Sequence, residues 1–304
     1  DPTTASSVGQ IYYNSTSNAF KYVQPGTVGA WASGGALNVA KTSGSTAGTQ
    51  TAGLYFGGSA PGGNTAQTEK YDGSSWTEVN DLNTVRQNLA GAGTQTSALA
   101  FGGGPPVNNE TEKFDGTSWT EVNNLNTARQ VLAGTGTQTA ALAFGGEITA
   151  NSASAESFNG TSWTEIAALN SARYAHGGAG TTTSALAFGG DNPTTAITES
   201  WNGSAWSEVA DLNTARYALA GFGSSNTSAL AVGGEAATGT VAITESWNGT
   251  SWTELADLAT ARQQLRGSGS TAAAFVAGGI TPSKTTATEE WTVPDVVIKT
   301  ITTS

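Results

Sequence analysis

The chain lacks cysteine and methionine, and its single histidine is His176. Without cysteine it can form no disulfides and has no thiolate metal ligand or thiol nucleophile. Charged residues make up 12% of the 304 residues, against about 25% in an average globular protein. No run of about 18 apolar residues occurs either. We therefore expect no insertion into a membrane and a surface made largely of hydroxyl and amide groups.

Basic residues are also scarce. The chain has 12 Lys and Arg against 23 Asp and Glu, a formal net charge of −11. Nucleic acids and anionic membranes are bound through a basic surface. The sequence therefore predicts that nucleic acid is not a partner.

The chain consists mainly of one repeated stretch, represented best by residues 119–146. Similar stretches occupy residues 76–103, 163–190, 206–234 and 252–279, and a diverged copy occupies residues 31–58. Each copy ends in a Gly-Gly pair, whose first glycine recurs every 43–45 residues, at Gly57, Gly102, Gly145, Gly189, Gly233 and Gly278. A fixed period of this length indicates a propeller or a solenoid, and we expect one closed array.

Each full repeat divides into four strand-like pieces. In the second repeat these are residues 86–93, 97–101, 111–114 and 118–122, with a tight turn at Asp115 between the last two. Four short antiparallel strands per repeat are typical of a propeller blade. The first strands are predicted to begin at six cations, which gives six blades: Lys41, Arg86, Arg129, Arg173, Arg216 and Arg262.

The two ends of the chain differ from the repeats. In residues 1–30, two aromatic and β-branched runs flank a polar turn, which predicts an N-terminal β-hairpin. Residues 31–292 hold the repeats, and residues 293–304 form a tail that contains a strand-like run. The sixth blade needs a fourth strand, because an open propeller leaves a bare edge. The register of Trp31 favours the segment around it, and the tail is the alternative.

Three features recur in the blades: a double glycine after the second strand, an aromatic residue on the third, such as Phe114, and a tryptophan on the fourth, such as Trp119. This pattern resembles kelch-repeat propellers. The resemblance implies an all-β fold, namely a six-bladed kelch-like β-propeller with four-stranded blades, here with an N-terminal β-hairpin extension. Kelch propellers carry many functions, so no activity follows. Copper radical oxidases of related propellers need cysteine and more than one histidine, which excludes that activity.

Little in the sequence indicates catalysis. His176 stands where other repeats have a leucine, and no second histidine, cysteine or acidic cluster at ligand spacing accompanies it. We therefore predict no catalytic residue, no metal site and no cofactor. The six cations form a ring with one member per blade, and we expect structural pairing with glutamates of the repeats such as Glu112, Glu156, Glu199 and Glu245. Binding of an anion in the central channel is the alternative.

The segment after each Gly-Gly pair varies between repeats, whereas the opposite rim is nearly constant. These segments connect second to third strands, so all six are predicted to emerge on one rim. A constant scaffold with one variable loop face is typical of a recognition surface, and drift in unconstrained loops is the alternative. The candidate binding residues on this face are Asn64, Asn108, Asn109, Asn151, Asp191, Asn192, Thr238 and Ser283.

A second resemblance involves the N-terminal run 9–23, which begins Gly-Gln-Ile-Tyr-Tyr-Asn, and the Gly-Thr-Gln-Thr motif of the repeats. Both are similar to virion-surface proteins of marine tailed bacteriophages, in which such a hairpin often precedes a fibre or display domain. The resemblance implies a non-enzymatic tail-fibre, receptor-binding or capsid-decoration protein, located on the virion surface or otherwise extracellular.

The same resemblance implies partners. The hairpin would dock onto other virion proteins, with apolar contacts from Tyr12, Tyr13, Phe20 and Tyr22. The loop face would meet a host glycan or surface protein, and a homo-oligomer is expected because phage fibres are commonly trimers. Two alternatives are a secreted bacterial carbohydrate-binding or adhesion module and a carbohydrate-active enzyme. The enzyme would need two converging carboxylates, and the rim offers only scattered acids: Glu110, Glu147, Asp191 and Glu235.

Overall fold

The computed structural model of the protein describes residues 9–25, 29–191, 193–294 and 296–301. Within these ranges the chain is all-β and has no helix. Its strands form nine antiparallel sheets of two to four strands, and six of these sheets have four strands each. This architecture is compatible with a β-propeller.

Three strands precede the first repeat: β1 (Ile11–Asn14), β2 (Ala19–Pro25) and β3 (Ala30–Ser33). The next strands in chain order are β4 (Ser45–Thr49), β5 (Ala52–Phe56), β6 (Ser59–Ala60), β7 (Gly63–Asn64), β8 (Thr68–Tyr71), β9 (Trp76–Val79), β10 (Ala90–Thr94), β11 (Ser97–Phe101), β12 (Thr111–Phe114), β13 (Trp119–Val122), β14 (Ala133–Thr137), β15 (Ala140–Phe144), β16 (Ala155–Phe158) and β17 (Trp163–Ile166). The remaining strands are β18 (Gly177–Thr181), β19 (Ser184–Phe188), β20 (Thr198–Trp201), β21 (Trp206–Val209), β22 (Arg216–Tyr217), β23 (Ala220–Ser225), β24 (Ser228–Val232), β25 (Glu235–Ala236), β26 (Gly239–Thr240), β27 (Thr244–Trp247), β28 (Trp252–Glu254), β29 (Arg266–Gly269), β30 (Ala273–Ala277), β31 (Thr288–Thr292) and β32 (Val296–Thr300).

The four-stranded sheets are numbered here in the order of their first strands. Sheet 1 contains β4, β5, β8 and β9; sheet 2, β10 to β13; sheet 3, β14 to β17; sheet 4, β18 to β21; sheet 5, β23, β24, β27 and β28; and sheet 6, β29, β30, β31 and β3. Two small sheets, β6–β7 and β22–β25–β26, belong to the segments between these strands. The ninth sheet joins β1, β2 and β32, and we call it the hairpin sheet.

The first strands begin four residues later than the sequence predicts. The strand expected from Arg86 onward starts at Ala90, and the same shift applies to the other repeats. The cause is a residue of positive φ two positions after each cation: Ser43, Asn88, Val131, Ala175, Ala218 and Gln264, with φ of 53–57°. A left-handed residue cannot continue the β-ladder. In the fifth repeat Arg216 does lie in a strand, β22, but that strand pairs with β25 rather than within sheet 5.

The hydrophobic core is divided among the interfaces between successive sheets. In β11 the four residues from Ala98 to Phe101 are completely buried, because both faces of the sheet are covered. Phe101 of sheet 2 packs 4.9 Å, centroid to centroid, from the ring of Trp163 in sheet 3. A Cβ at Gly134, on the first strand of sheet 3, would lie 2.5 Å from Phe101. Glycine at this position therefore lets neighbouring sheets approach closely.

The chain ends are paired in two different ways. β3 pairs with β31, so that Trp31 lies opposite Trp291 and supplies the fourth strand of sheet 6. The tail strand β32 does not join sheet 6; it pairs with β2 of the hairpin sheet. Of the two segments considered from the sequence for that fourth strand, it is the one around Trp31 that pairs there. The N-terminal hairpin and the C-terminal tail, predicted as separate segments, thus share one sheet.

Candidate functional site

A buried ion pair occurs once in each four-stranded sheet, between a ring cation and a glutamate on the third strand. The pairs are Lys41–Glu69 (2.6 Å), Arg86–Glu112 (3.0 Å), Arg129–Glu156 (2.9 Å), Arg173–Glu199 (3.0 Å), Arg216–Glu245 and Arg262–Glu289 (2.8 Å). The cation side chains are at most 2% exposed. Nη1 of Arg129 also donates to the carbonyl oxygens of Gly145 (3.2 Å) and Ser154 (2.5 Å). The six cations are thus held by structural partners.

The second carboxylate oxygen of each glutamate accepts hydrogen bonds from the segment that connects the preceding sheet to the glutamate's own sheet. Oε2 of Glu156 accepts hydrogen bonds from the backbone N and from Nδ2 of Asn126, both at 2.8 Å. The same contacts join four other pairs: Asn38–Glu69, Asn83–Glu112, Asn170–Glu199 and Asn213–Glu245. In the sixth repeat Ala259 replaces the asparagine, and only its backbone N bonds to Glu289, at 2.7 Å. We call the cation, its glutamate and this asparagine the clamp.

Sequence reasoning missed the role of these asparagines. A signal for it exists, because an asparagine stands three residues before five of the six cations. A buried carboxylate needs donors for both of its oxygens, and the ring cation satisfies only one. A recurrent amide close in sequence to the cation is the natural second donor.

Two series of backbone hydrogen bonds link the six sheets and return to the first. Each residue of positive φ donates its N–H to the carbonyl of its counterpart in the preceding sheet, at 2.7–3.1 Å, and Ser43 donates to Gln264. The second glycine of each pair donates to the carbonyl of the next ring cation, as Gly146 does to Arg173 at 2.9 Å. Because buried backbone groups are costly to leave unpaired, these bonds fix each sheet to both neighbours.

A cavity of about 260 Å³ lies among the starts of the six first strands. Gln87, just before the first strand of sheet 2, bridges to Gly104 after the Gly-Gly pair, so the variable segments emerge at this same end. We call this end the loop rim. The ring cations are not among the residues that line the cavity; its polar lining includes Ser45, Asn88 and Arg266, with the rings of Tyr174 and Tyr217.

Several candidate binding residues on the loop rim have structural partners. Nδ2 of Asn109 donates to the carbonyl of Leu125 at 2.9 Å, and the backbone N of Asn108 donates to Gly103 at 2.9 Å. The carboxylate of Asp191 accepts hydrogen bonds from the hydroxyls of Tyr174 (2.9 Å) and Thr194 (3.0 Å). The side chains of Asn109 and Asp191 and the backbone of Asn108 thus help to shape the loops.

The other candidates are more accessible. Thr238 and Ser283 are exposed, and Asn64 and Asn151 are half-buried. Nδ2 of Asn151 donates a hydrogen bond to the carbonyl oxygen of Asp191 at 3.5 Å. This bond joins two predicted binding residues that lie on different loops. Asn192 lies outside the described residues.

Three of the four acids predicted on the loop rim, Asp191, Glu235 and Glu110, have separate partners. Glu235 accepts a hydrogen bond from the hydroxyl of Thr240 at 2.6 Å, and Glu110 lies 3.9 Å from Nη1 of Arg86. Asp191 is held by the hydroxyls of Tyr174 and Thr194. Burial, together with the hydrogen bond to Asp191, raises the pKa of Tyr174 to about 12. Over the residues that the structure describes, no group of three or more His, Cys, Asp or Glu side chains is arranged to hold a metal ion.

His176 occupies the site of a leucine and is 6% exposed. Neither ring nitrogen has a hydrogen-bond partner within the described chain. In sister repeats Leu89, Leu132 and Leu219 pack over the first glycine of the pair, and His176 does the same over Gly145. Burial and the nearby Arg173 and Arg129 lower the pKa of His176 well below its usual value. The ring is therefore neutral and packs between sheets.

The indole N–H of Trp206 is buried without a partner. In five other fourth strands the tryptophan Nε1 donates to a threonine hydroxyl on the preceding sheet at 3.0–3.1 Å, as Trp163 does to Thr111. At the position facing Trp206 the chain has Ala155 instead. Trp206 is thus the one break in this series.

We expect Ala155→Thr to raise the free energy of unfolding by about 1 kcal/mol, because it supplies the missing acceptor where the fold accommodates threonine in five other sheets. Equilibrium urea unfolding measures the change. Ala155→Val is the matched control, since valine has the shape of threonine but no hydroxyl. An equal gain from both variants would contradict the hydrogen bond as its source.

The hairpin sheet has one exposed apolar face. The register places Ile11 opposite Tyr22 and Tyr13 opposite Phe20, and these four side chains are 36–66% exposed. Tyr13 and Phe20 contact each other edge to face, with centroids 5.3 Å apart. We call these four residues the aromatic face. Ile11 was not among the predicted contacts.

Tyr12 does not lie on the aromatic face. Tyr12 lies opposite Lys21 and therefore projects to the other side of the hairpin sheet, with Val23, which is 1% exposed. The reason is the two-residue period of a strand, by which consecutive tyrosines cannot share a face. Tyr12 is half-buried, so three of the four predicted anchor residues lie together and the fourth does not.

No protein-family model matches the chain, and a search of curated proteins finds no similar sequence. Among the described residues there is also no helix long and apolar enough to cross a membrane.

Proposed function

We propose that the chain is a non-enzymatic virion-surface protein, a six-bladed kelch-like β-propeller whose loop rim recognises a host glycan or surface protein. The observation that carries this proposal is a contrast within each repeat. The clamp recurs in every sheet, complete in five and without its asparagine in the sixth. The segments after the Gly-Gly pairs differ in every repeat.

The contrast has a physical meaning for recognition. Clamps and backbone bonds tie the base of each loop to its own sheet and to the next, so the loops start from fixed positions. Binding residues held on a rigid scaffold lose less entropy when a ligand is bound. Loop tips such as those with Thr238 and Ser283 are exposed beyond these fixed bases, which suits contact with a large partner.

We further propose that the aromatic face docks the protein onto other virion proteins, with a homotrimer as the expected assembly. Large exposed side chains grouped on one face are typical of interaction sites. Ile11, Tyr13, Phe20 and Tyr22 account for four of the seven exposed large hydrophobic residues of the described chain. They lie on a sheet separate from sheets 1 to 6, so the two contacts would use different surfaces.

An enzymatic role receives less support. A glycoside hydrolase needs two carboxylates in one pocket, whereas Asp191, Glu235 and Glu110 are each engaged by a separate hydroxyl or cation. A secreted adhesion module would use the same loop rim as the virion protein. The virion protein would use the aromatic face to bind other virion proteins, whereas the adhesion module would not.

A glycan array tests the recognition surface. We expect the chain to bind a restricted set of glycans, and we expect binding to be lost when the loop tips are replaced by Gly-Ser of equal length. The replaced residues would be the exposed tips 61–63, 105–106, 148–150, 237–238 and 282–283. Asn109 and Asp191 would be kept because their side chains hold the loops in place, and Asn108 would be kept because its backbone N–H donates to Gly103.

The matched control changes the opposite rim. Exposed residues in the turns between third and fourth strands, at Ser74, Thr117, Thr161, Ser204 and Thr250, would be replaced by glycine. This variant should bind as the parent does. Loss of binding in the control alone, or glycan binding that survives replacement of the tips, would contradict recognition through the loop rim.

A further inference from the structure

We infer that the central cavity at the loop rim is a binding site for a carboxylate group, held by Arg266. The inference concerns the cavity wall rather than the loop tips, and it does not depend on where the protein is displayed. It can therefore succeed or fail independently of the proposed function.

Arg266 occupies a position at which the other five repeats have a small neutral residue. The first residue of the first strand is Ser45, Ala90, Ala133, Gly177 and Ala220 in sheets 1 to 5, and it is Arg266 in sheet 6. Five of these six positions, all except Ala220, line the cavity, and only sheet 6 places a charged side chain there. A long cation among small neutral residues has no counterpart in the packing of the other sheets.

Arg266 also differs from the six ring cations in having no carboxylate partner. No acid of the described chain lies within 4.0 Å of its guanidinium, whereas each ring cation has one. Arg266 is half-buried, and this partial burial lowers its pKa because loss of solvent disfavours the charged form. A partly desolvated cation without a counter-ion carries a free-energy cost, and an anion in the cavity would offset that cost.

The guanidinium is held in place and keeps free donors. Nε donates to the carbonyl of Gly44 at 2.7 Å, and Nη1 donates to the carbonyl of Leu265 at 3.0 Å. Nη2 makes no hydrogen bond within the described chain. Because a guanidinium has five N–H groups in a planar fork, three remain for a ligand. Fixing the group beforehand removes part of the entropy cost of binding.

The charge and size of the cavity favour a carboxylate over phosphate. Arg266 is the only cation on the cavity wall, and the rim carries Glu147, Asp191 and Glu235 within a chain of net charge −11. A single guanidinium matches one monoanionic carboxylate in charge and geometry. A dianion would face more repulsion. The volume, about 260 Å³, lies below the range of about 300–1,000 Å³ for pockets of drug-sized ligands, which favours a small ligand.

Two sources of the carboxylate fit this site: a small free acid and the acidic sugar of a glycan. The rings of Tyr174 and Tyr217 on the wall would offer flat surfaces to a sugar. Glucuronate represents the acidic sugar, acetate the free acid, glucose the neutral sugar and inorganic phosphate the competing anion.

Isothermal titration calorimetry of the full chain with these four probes, at constant ionic strength, tests the site. We expect binding of glucuronate, acetate or both, and at least about tenfold weaker affinity in Arg266→Ala. Alanine occupies the same position in three other sheets, so this variant should fold, and Arg266→Gln gives a second test that retains hydrogen-bond donors. Glucuronate alone would identify an acidic sugar, and equal affinity for acetate a free acid.

Lys284→Ala is the control, because it removes the same charge from the loop rim of sheet 6 at a side chain that bonds to Ser59 and Ala60 instead. It should bind as the parent does. The inference would be overturned if neither carboxylate bound, if phosphate or glucose bound as tightly, or if Arg266→Ala retained the parent affinity.

Discussion

Replacing Glu156 by alanine is expected to lower the free energy of unfolding by about 3–5 kcal/mol. Glu156 is 2% exposed and accepts hydrogen bonds from Arg129 with one oxygen and from Asn126 with the other. Its removal leaves the buried guanidinium of Arg129 without a counter-ion, and burial already lowers the pKa of that group. It also removes the hydrogen bonds that hold Asn126, in the segment between sheets 2 and 3.

Equilibrium urea unfolding of the parent and the variant measures this effect. Glu165→Ala is the matched control, because Glu165 lies directly opposite Glu156 in the same sheet and is exposed. A surface change of this kind should alter stability by less than about 0.5 kcal/mol. Similar losses in both variants would show that the clamp contributes little to stability.

Replacing His176 by leucine is expected to raise the free energy of unfolding at neutral pH by about 1–3 kcal/mol. The change removes two buried ring nitrogens that have no partner, and each buried unsatisfied group carries a cost of that order. Packing should be preserved, because leucines in sister repeats occupy the same position over the first glycine of the pair. A loss of stability would indicate that the imidazole has a partner.

The advantage of the His176→Leu variant should grow as the pH falls. The pKa of His176 is lowered in the folded protein, whereas the unfolded chain has an ordinary value near 6.5. Below about pH 6.5 the unfolded state binds a proton that the folded state does not. Folding of the parent is therefore weakened by about 1.4 kcal/mol per pH unit until the folded pKa is reached.

Urea unfolding of both proteins at pH 7, 6 and 5 tests this dependence. The difference between them should be about 2 kcal/mol larger at pH 5 than at pH 7. The carboxylates are the same in both chains, so their titration cancels in the comparison. A difference that stays constant over this range would mean that His176 has the same pKa in the folded and unfolded states.

The parts of the fold that repeat could be predicted from the sequence. The 43–45-residue period and the strand-length apolar runs indicate antiparallel sheets of four strands, because burial on both faces requires small and large residues at alternating positions. One cation and one glutamate recur in every repeat, 26–29 residues apart, so their pairing could be proposed from charge alone. The start of the first strands could not, because the left-handed turn after each cation falls on residues as different as Asn88 and Val131.

The candidate site was predicted only in outline. The rim on which the loops emerge follows from strand order, but several of the polar side chains chosen there, such as Asn109, hold the loop itself. A polar residue in a loop has the same appearance in the sequence whether it bonds to backbone or faces solvent. Arg266 was passed over for the converse reason, since its lack of a carboxylate partner is a property of its surroundings.

The sequence by itself determined the repeat, the all-β class, the charge deficit and the residues available for pairing, because these depend on composition and on spacing along the chain. The tertiary structure alone decided which segments meet across sheets. Trp31 pairs with Trp291 and the tail with the N-terminal hairpin, and Trp206 faces Ala155 where its counterparts face threonine. These outcomes depend on contacts between residues distant in sequence, whose energies arise only when the sheets are packed together.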